Sequence, residues 1–214
     1  MQIDIWFDVM CPFCYVGKRR FETALENMTF KHQVQVIYHS FQLNPEMPKN
    51  PASDIHTFLS EQKGMDREQV LAFHRQLTEQ ARDIGLEYNM DEAVPANSFD
   101  AHRLLQFATE RGKNNRMTER LLRAYFTESK NIADIDTLVG LAGDVGLVEE
   151  ETRELLELDA YTPSVQKDLQ EASYIGIDGV PFYVFDETYT LSGAQPAETF
   201  EQALQQVWDE KQQA

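Results

Sequence analysis

Cysteine is scarce in this sequence: 214 residues contain only two, and both fall within one stretch of four positions. A disulfide between cysteines three positions apart closes a ring that is too short to restrict the unfolded chain much. The pair is therefore poorly placed to stabilise a fold. It is better placed to form and break a disulfide reversibly.

Long apolar stretches are also missing. No apolar run approaches the roughly 20 residues that a membrane helix needs, and no charged segment followed by an apolar segment precedes the first predicted strand, as in a secretory signal. We therefore expect no membrane partner and a cytoplasmic location. In that compartment a cysteine pair is more often catalytic than structural.

Basic residues are outnumbered, 19 against 36 acidic ones, which gives a net charge of −17. This balance disfavours nucleic-acid phosphates and anionic membranes as partners. A hydrophobic content of 42% and an aromatic content of 11% are typical of a globular chain. The length allows one substantial core, or one core with an inserted subdomain.

The predicted elements divide the chain into three segments. Residues 1–53 have the pattern of a strand, a helix and a second strand. Residues 54–160 show only helical patterns, the clearest of which begins at an N-cap, Asp66, with Gln69 three residues later. Residues 161–214 have the pattern of a helix, a β-hairpin and a final helix. This order predicts an α/β thioredoxin fold with a large all-helical insertion between its two halves.

The cysteines form the motif Cys11-Pro12-Phe13-Cys14, directly after the apolar run at 3–7. Pro12 suits the first turn of a helix, which places Cys11 at the N-cap, near free backbone N–H groups and the positive end of the helix dipole. This setting favours the thiolate, which is the nucleophile in disulfide exchange. We therefore predict a redox site in which the Cys11 sulfur is ionised and reachable.

A zinc site is an alternative interpretation of the cysteine pair, and two inert thiols are another. Zinc usually takes four ligands, and no paired spacing that would complete a site is found among the five histidines, His32, His39, His56, His74 and His102. Inert buried thiols are not expected at a helix start beside a proline. The sequence therefore predicts no bound metal.

Four stretches carry a family resemblance: 8–18 (DVMCPFCYVGK), 97 with 101–104 (N and AHRL), 176–182 (GIDGVPF) and 192–195 (SGAQ). Through them the chain resembles the DsbA-like thioredoxin superfamily, and within it the FrnE-like branch related to 2-hydroxychromene-2-carboxylate isomerase and kappa-class glutathione transferase. The resemblance implies that Cys11 attacks, that Cys14 resolves, and that Val180 and Pro181 form a cis peptide facing them. Isomerase and transferase relatives commonly carry serine at the first position, so two thiols favour dithiol chemistry.

We predict substrate contacts on both sides of the pair. Phe13, next to Pro12, offers an apolar surface to a hydrophobic or unfolded substrate. A cis bond at Pro181 would hold the Val180 backbone extended, ready to pair with a substrate chain by strand addition. Without the resemblance, the residues alone do not predict a cis bond, and Pro181 is interpreted as a proline at the first residue of an edge strand.

Two charged residues near the pair have two interpretations each. Asp8 either binds nearby backbone N–H groups or tunes the thiols, since a nearby carboxylate raises the pKa of a thiol. Lys18 lies four residues after Cys14, and it either biases the thiolate or belongs with its arginine neighbours to a solvated helix face. His102 is predicted to be a structural residue or to line a cleft.

The leading functional hypothesis is a thiol–disulfide oxidoreductase, with isomerase activity as an extension. Its partners would be protein or small-molecule thiols and disulfides. It would require no metal or organic cofactor, with glutathione as a potential reductant or co-substrate. One alternative is a glutathione-dependent isomerase or transferase acting on a small hydrophobic molecule, and another is a binding protein whose apolar cleft matters more than its thiols. The sequence leaves the oligomeric state open.

Overall fold

The structure, a computed structural model, describes residues 1–49 and 54–213. Its strands are β1 (Gln2–Phe7), β2 (Gln35–Ser40), β3 (Phe182–Phe185) and β4 (Tyr189–Ser192). Its helices are α1 (Pro12–Glu26), α2 (Ile55–Lys63), α3 (Arg67–Arg82), α4 (Phe99–Glu110), α5 (Asn114–Phe126), α6 (Ile135–Asp144), α7 (Glu149–Glu157), α8 (Thr162–Tyr174) and α9 (Ala197–Gln213). Two single 3₁₀ turns lie at Lys31–Gln33 and Met90–Glu92.

The four strands form one mixed sheet in the order β2-β1-β3-β4. Strand β1 is parallel to β2 and antiparallel to β3, with Ile5 opposite Tyr38 on one side and Tyr183 on the other. A parallel pair needs a crossover connection, which α1 supplies. The predicted fold class, an α/β fold with an all-helical insertion between two halves, is confirmed.

The chain separates into two compact units. One consists of Met1–Leu43 with Gln166–Ala214, and the other of Asn44–Val165. The segment boundaries expected after residues 53 and 160 stay predictions, and residue 53 itself lies outside the described residues. None of the helices in the described part of the chain combines the length and apolar character that crossing a bilayer requires.

Helices α2 and α3 of the helical unit begin with polar caps. The predicted cap at the start of α3 is confirmed: the Asp66 carboxylate accepts from the Gln69 amide at 2.8 Å, and the Gln69 side chain accepts from the Asp66 amide at 3.0 Å. Helix α2, which the sequence pattern did not single out, starts in the same way, because the Asp54 carboxylate accepts from the amides of His56 and Thr57. Local capping therefore fixes where these helices start.

A charged cluster ties β1, β2 and α8 together in the sheet-containing unit. His39 contacts two carboxylates, Asp4 Oδ1 at 2.8 Å from Nε2 and Asp168 Oδ1 at 3.1 Å from Nδ1. Its ring stacks on Trp6 with centroids 4.4 Å apart. Burial by itself would lower the pKa of His39, but the hydrogen bonds and charges of Asp168 and Asp4 outweigh it and raise that pKa to about 9.

This cluster predicts a pH-dependent stability. A pKa raised from 6.5 to about 9 stabilises the folded state fully below pH 6.5, and the stabilisation is lost as the pH rises through 9. We expect the difference in free energy of unfolding between wild type and His39→Gln to shrink by about 2–3 kcal/mol between pH 6 and pH 9.5. Urea unfolding across this range measures it, with His32→Gln, at an exposed histidine, as the control. A difference that does not vary with pH would contradict the charged state assigned to His39.

Candidate active site

The cysteine pair lies at the junction between β1 and α1. The chain turns after Phe7, and the amide of Cys11 donates to the carbonyl of Asp8 at 3.1 Å. Cys11 is the N-cap of α1, with extended backbone angles, and Pro12 is the first helical residue. The Cys14 amide donates to the Cys11 carbonyl at 3.0 Å. The predicted N-cap position of Cys11 is therefore confirmed.

Both sulfurs are thiols rather than a disulfide, and both are buried. The Cys11 Sγ lies 3.5 Å from the carbonyl oxygen of Val180, to which the thiol can donate. Cys11 is only 3% exposed and Cys14 only 2%. The expectation that the Cys11 sulfur is openly reachable is thus wrong for this conformation, because the Val180 carbonyl lies against it.

The electrostatic setting of Cys14 keeps its sulfur protonated. Burial raises the pKa of the Cys14 thiol well above its ordinary value, and the hydrogen bond with Cys11 and the charge of Cys11 act in the same direction. The backbone amide of Asp8 acts against this rise, and the Asp8 carboxylate adds to it. Near neutral pH, Cys14 is therefore a poor nucleophile.

The Val180–Pro181 segment is held from both sides. Its peptide bond is cis, and the Pro181 carbonyl accepts from the Gly193 amide at 2.8 Å. The Val180 side chain packs against a buried cluster formed by Trp6, Ala172 and Ile177. These contacts fix the position of the Val180 carbonyl that meets Cys11.

Two residues that the sequence did not single out complete the surroundings of the thiols. Tyr183 on β3 is fully buried, and its hydroxyl finds no hydrogen-bond partner among the described residues. Burial, and next the charge of Cys14, raise the pKa of Tyr183 well above its ordinary value. A Cβ on Gly17 would lie 2.5 Å from the Tyr183 Oη and 3.0 Å from the Pro181 Cγ. Glycine at this position is what lets α1 approach β3.

Asp8 acts mainly on the backbone. The residue is 1% exposed, and its carboxylate accepts from the Leu43 amide at 2.8 Å and from the Met10 amide at 3.3 Å. These bonds match the turn-stabilising interpretation, while the influence of the carboxylate on the Cys14 pKa matches the tuning one. Asp8 thus contributes to both.

The remaining predicted site residues separate into exposed and buried ones. Phe13 presents 38% of its surface to solvent beside the pair, and Pro12 is half-buried. Lys18 is 3% exposed, with its Nζ 2.6 Å from Glu22 Oε1, so the solvated-face interpretation is wrong for this lysine. Its influence on the thiolate stays a prediction. His102 is fully buried within α4.

Comparisons with known proteins place this arrangement in a family. The model of the DSBA-like thioredoxin domain matches residues 2–205. The chain belongs to that family. The predicted DsbA-like resemblance is confirmed.

The similarity to known proteins extends over nearly the whole chain. A probable DsbA oxidoreductase from Streptomyces coelicolor, SCO1869, is 41% identical, with a TM-score of 0.94 over 98% of this chain and 91% of that one. The uncharacterized protein YwbO from Bacillus subtilis is 29% identical over 95% of this chain and 96% of its own length. The cytosolic disulfide reductase DsbM from Pseudomonas aeruginosa, solved with GSH, shares the fold at 16% identity, with a TM-score of 0.66 over 98% of this chain and all of that one.

Proposed function

We propose that this protein is a thiol–disulfide oxidoreductase whose redox pair is Cys11 and Cys14. The observation that carries the proposal is the unequal setting of two adjacent thiols. Cys11 occupies the N-cap position of α1 with its sulfur against the Val180 carbonyl, whereas burial raises the pKa of Cys14 and favours its protonated form. In this proposal the Cys11 sulfur attacks the substrate, and the Cys14 sulfur stays protonated until it resolves the mixed disulfide.

The proposed reaction has two steps. The Cys11 thiolate attacks a sulfur of the substrate disulfide, whose S–S bond breaks, and the second substrate sulfur leaves as a thiolate that takes up a proton. A mixed disulfide joins Cys11 to the substrate. Cys14 then attacks Cys11 Sγ, the bond between Cys11 and the substrate breaks, and the captured substrate sulfur leaves as a thiolate that takes up the proton lost by Cys14. Two electrons pass from the pair to the substrate, and the reverse sequence oxidises a dithiol.

The charge on Cys11 orders these steps. That charge is one of the causes that raise the Cys14 pKa, and a Cys11 sulfur bound in a mixed disulfide carries none. Capture of a substrate therefore removes part of the barrier to ionising Cys14. The resolving thiol becomes more reactive only after the attacking thiol has been used.

Substrate contacts are proposed for Phe13, Pro12, Val180 and Pro181. The exposed ring of Phe13 offers an apolar surface, and the Val180 backbone lies within reach of whatever bonds to Cys11. Substrate approach requires the Cys11 sulfur to give up its contact with the Val180 carbonyl. The proposed substrates are protein or small-molecule disulfides in the cytoplasm, with glutathione recycling the pair and no metal or organic cofactor in the reaction. A fold shared with a cytosolic disulfide reductase solved with GSH is in keeping with this.

A glutathione-dependent isomerase or transferase is the second candidate. The observation that favours it is the raised pKa of the buried Cys14, because a thiol that stays protonated need not take part. Cys11 would then hold or activate the sulfur of glutathione, and Cys14 would be dispensable.

The Cys14→Ser variant separates the two candidates. With a peptide disulfide and reduced glutathione, we expect disulfide reduction to fall at least about 100-fold and a mixed disulfide on Cys11 to accumulate, because the resolving sulfur is missing. Intact-mass spectrometry measures the adduct, and the wild type treated in parallel should release it. Unchanged turnover without an adduct would overturn the dithiol mechanism and favour the glutathione-dependent one.

A further inference from the structure

A second cluster of chemistry-bearing side chains lies inside the helical unit. His56 is on α2, His74 is on α3, and Asp91 is on the 3₁₀ turn Met90–Glu92. One potential ligand atom of each residue lies within 4.8 Å of the others. The two histidines are 18 positions apart on different helices, so their spacing in the sequence gives no sign of this meeting.

The imidazole of His74 is buried without a partner. The residue is 1% exposed, and neither ring nitrogen finds a hydrogen bond among the described residues. The Nδ1 of His56, which is 6% exposed, is in the same condition. Buried polar atoms are normally paired because an unpaired one costs free energy. Three such atoms on two rings that lie 5.0 Å apart therefore point to a missing partner that both rings share.

The distances suit a small cation. His56 Nε2 and Asp91 Oδ1 are 3.4 Å apart, which is about the separation of two ligand atoms at the corners of a zinc tetrahedron with bonds near 2.1 Å. The widest separation, at most 4.8 Å, closes to that value by a side-chain movement on the order of 1 Å. The backbone elements are thus already in place.

The surroundings of His74 also suit a metal ligand. Burial, followed by the nearby His56, lowers the pKa of His74, and the carboxylate of Asp91 only partly opposes this. The direction of this shift favours the neutral imidazole, the form that donates a lone pair to a metal.

A second group of this kind, His39 with Asp168 and Glu171, provides a contrast. Both ring nitrogens of His39 already bond to carboxylates, and the raised pKa keeps its ring protonated. That histidine has no lone pair to offer. Among the described residues, the ring nitrogens of His39 thus have hydrogen-bond partners, whereas those of His74 and the Nδ1 of His56 have none.

We propose that His56, His74 and Asp91 bind one divalent transition-metal ion of the zinc type. Two imidazoles and a carboxylate favour zinc over calcium or magnesium, which prefer oxygen ligands. A cavity of about 210 Å³ adjoins the cluster and is lined by His74, Asp91, Glu79 and Tyr88 among others. It leaves room for water or a small ligand at the fourth position. The ion ties α2, α3 and the 3₁₀ turn together.

The test uses the full chain with both thiols removed, Cys11→Ser with Cys14→Ser, so that the cysteine pair cannot bind the metal. We expect calorimetry to show one Zn²⁺ per chain. With Co²⁺ we expect the intense visible bands of a four-coordinate site rather than the weak bands of the hydrated ion. Absence of binding in this protein would overturn the proposal.

Variants in the same background locate the ion. We expect Asp91→Asn and His74→Gln each to weaken Zn²⁺ binding at least about 30-fold, and His32→Gln, at an exposed histidine outside the cluster, to leave it unchanged. Asp91 is exposed, so its variant decides the matter if His74→Gln fails to fold by circular dichroism. Binding that survives Asp91→Asn at full strength would show that the ion lies elsewhere and would refute the site.

Discussion

Cys11→Ser is expected to lower the rate of disulfide exchange at least about 1,000-fold. The hydroxyl of serine ionises far less readily than a thiol, and Cys14 cannot take over the attack because burial raises its pKa and keeps it protonated. Serine is close to cysteine in size, so the fold should tolerate it at the N-cap, a position that serine favours. Reduction of a fluorescent peptide disulfide, followed at pH 7, measures the change.

Alkylation provides the control for this loss. In the wild type we expect iodoacetamide to modify Cys11 before Cys14, and in Cys11→Ser we expect the protein to remain unlabelled over the same period. A Cys11→Ser variant that keeps most of its activity would mean that Cys14 is the attacking thiol. A variant whose midpoint of thermal unfolding drops sharply would mean instead that the loss reflects unfolding, so that midpoint must be measured alongside.

Arg103→Met is expected to destabilise the protein by about 3–5 kcal/mol, because it leaves several backbone carbonyls without their donor and removes one of the two cations, with Lys49, that contact the buried Asp100 carboxylate. Arg103 on α4 is 4% exposed, and its Nη1 lies 2.8 Å from Asp100 Oδ1. Its guanidinium also donates to the carbonyl oxygens at and beyond the end of α7, those of Leu155, Leu156, Leu158 and Ala160. One side chain thus caps one helix from another.

Urea unfolding measures this loss of stability, and two further variants serve as comparisons. Arg103→Lys should recover only part of the stability, since an ammonium group lacks the planar set of donors. Arg153→Met removes an ion pair with Asp136 from a side chain that is 44% exposed, and it should cost far less stability than Arg103→Met because solvent screens the pair. Equal losses for Arg103→Met and Arg153→Met would contradict the role assigned to burial here.

Much of the architecture is encoded locally and could be predicted from the sequence. The strand before the cysteines, the proline after Cys11 and the cap at Asp66 each act within a few residues of themselves, and the structure contains all three. The hairpin was predictable for the same reason, since its two strands lie next to each other in the sequence.

The rest depends on contacts between distant residues. Tyr183 reaches the thiols only because β3 pairs with β1 in a register that places it opposite Ile5. Lys18 looks like part of a basic surface run, yet the fold buries it. The burial of the Cys11 sulfur depends on a carbonyl 169 positions away. No short stretch of the sequence contains both Ile5 and Tyr183, or both Cys11 and Val180.

At Gly17, helix α1 closely approaches Tyr183 and Pro181. This residue lies one turn after the cysteines on α1, and the space that its missing side chain leaves is filled by Tyr183 and Pro181. The absence of a side chain at Gly17 thus limits how far α1, with the proposed nucleophile before it, stands from Pro181, which belongs to the proposed substrate-binding segment. We expect any side chain at position 17 to push Tyr183 and Pro181 away from α1, and so to alter the proposed exchange reaction.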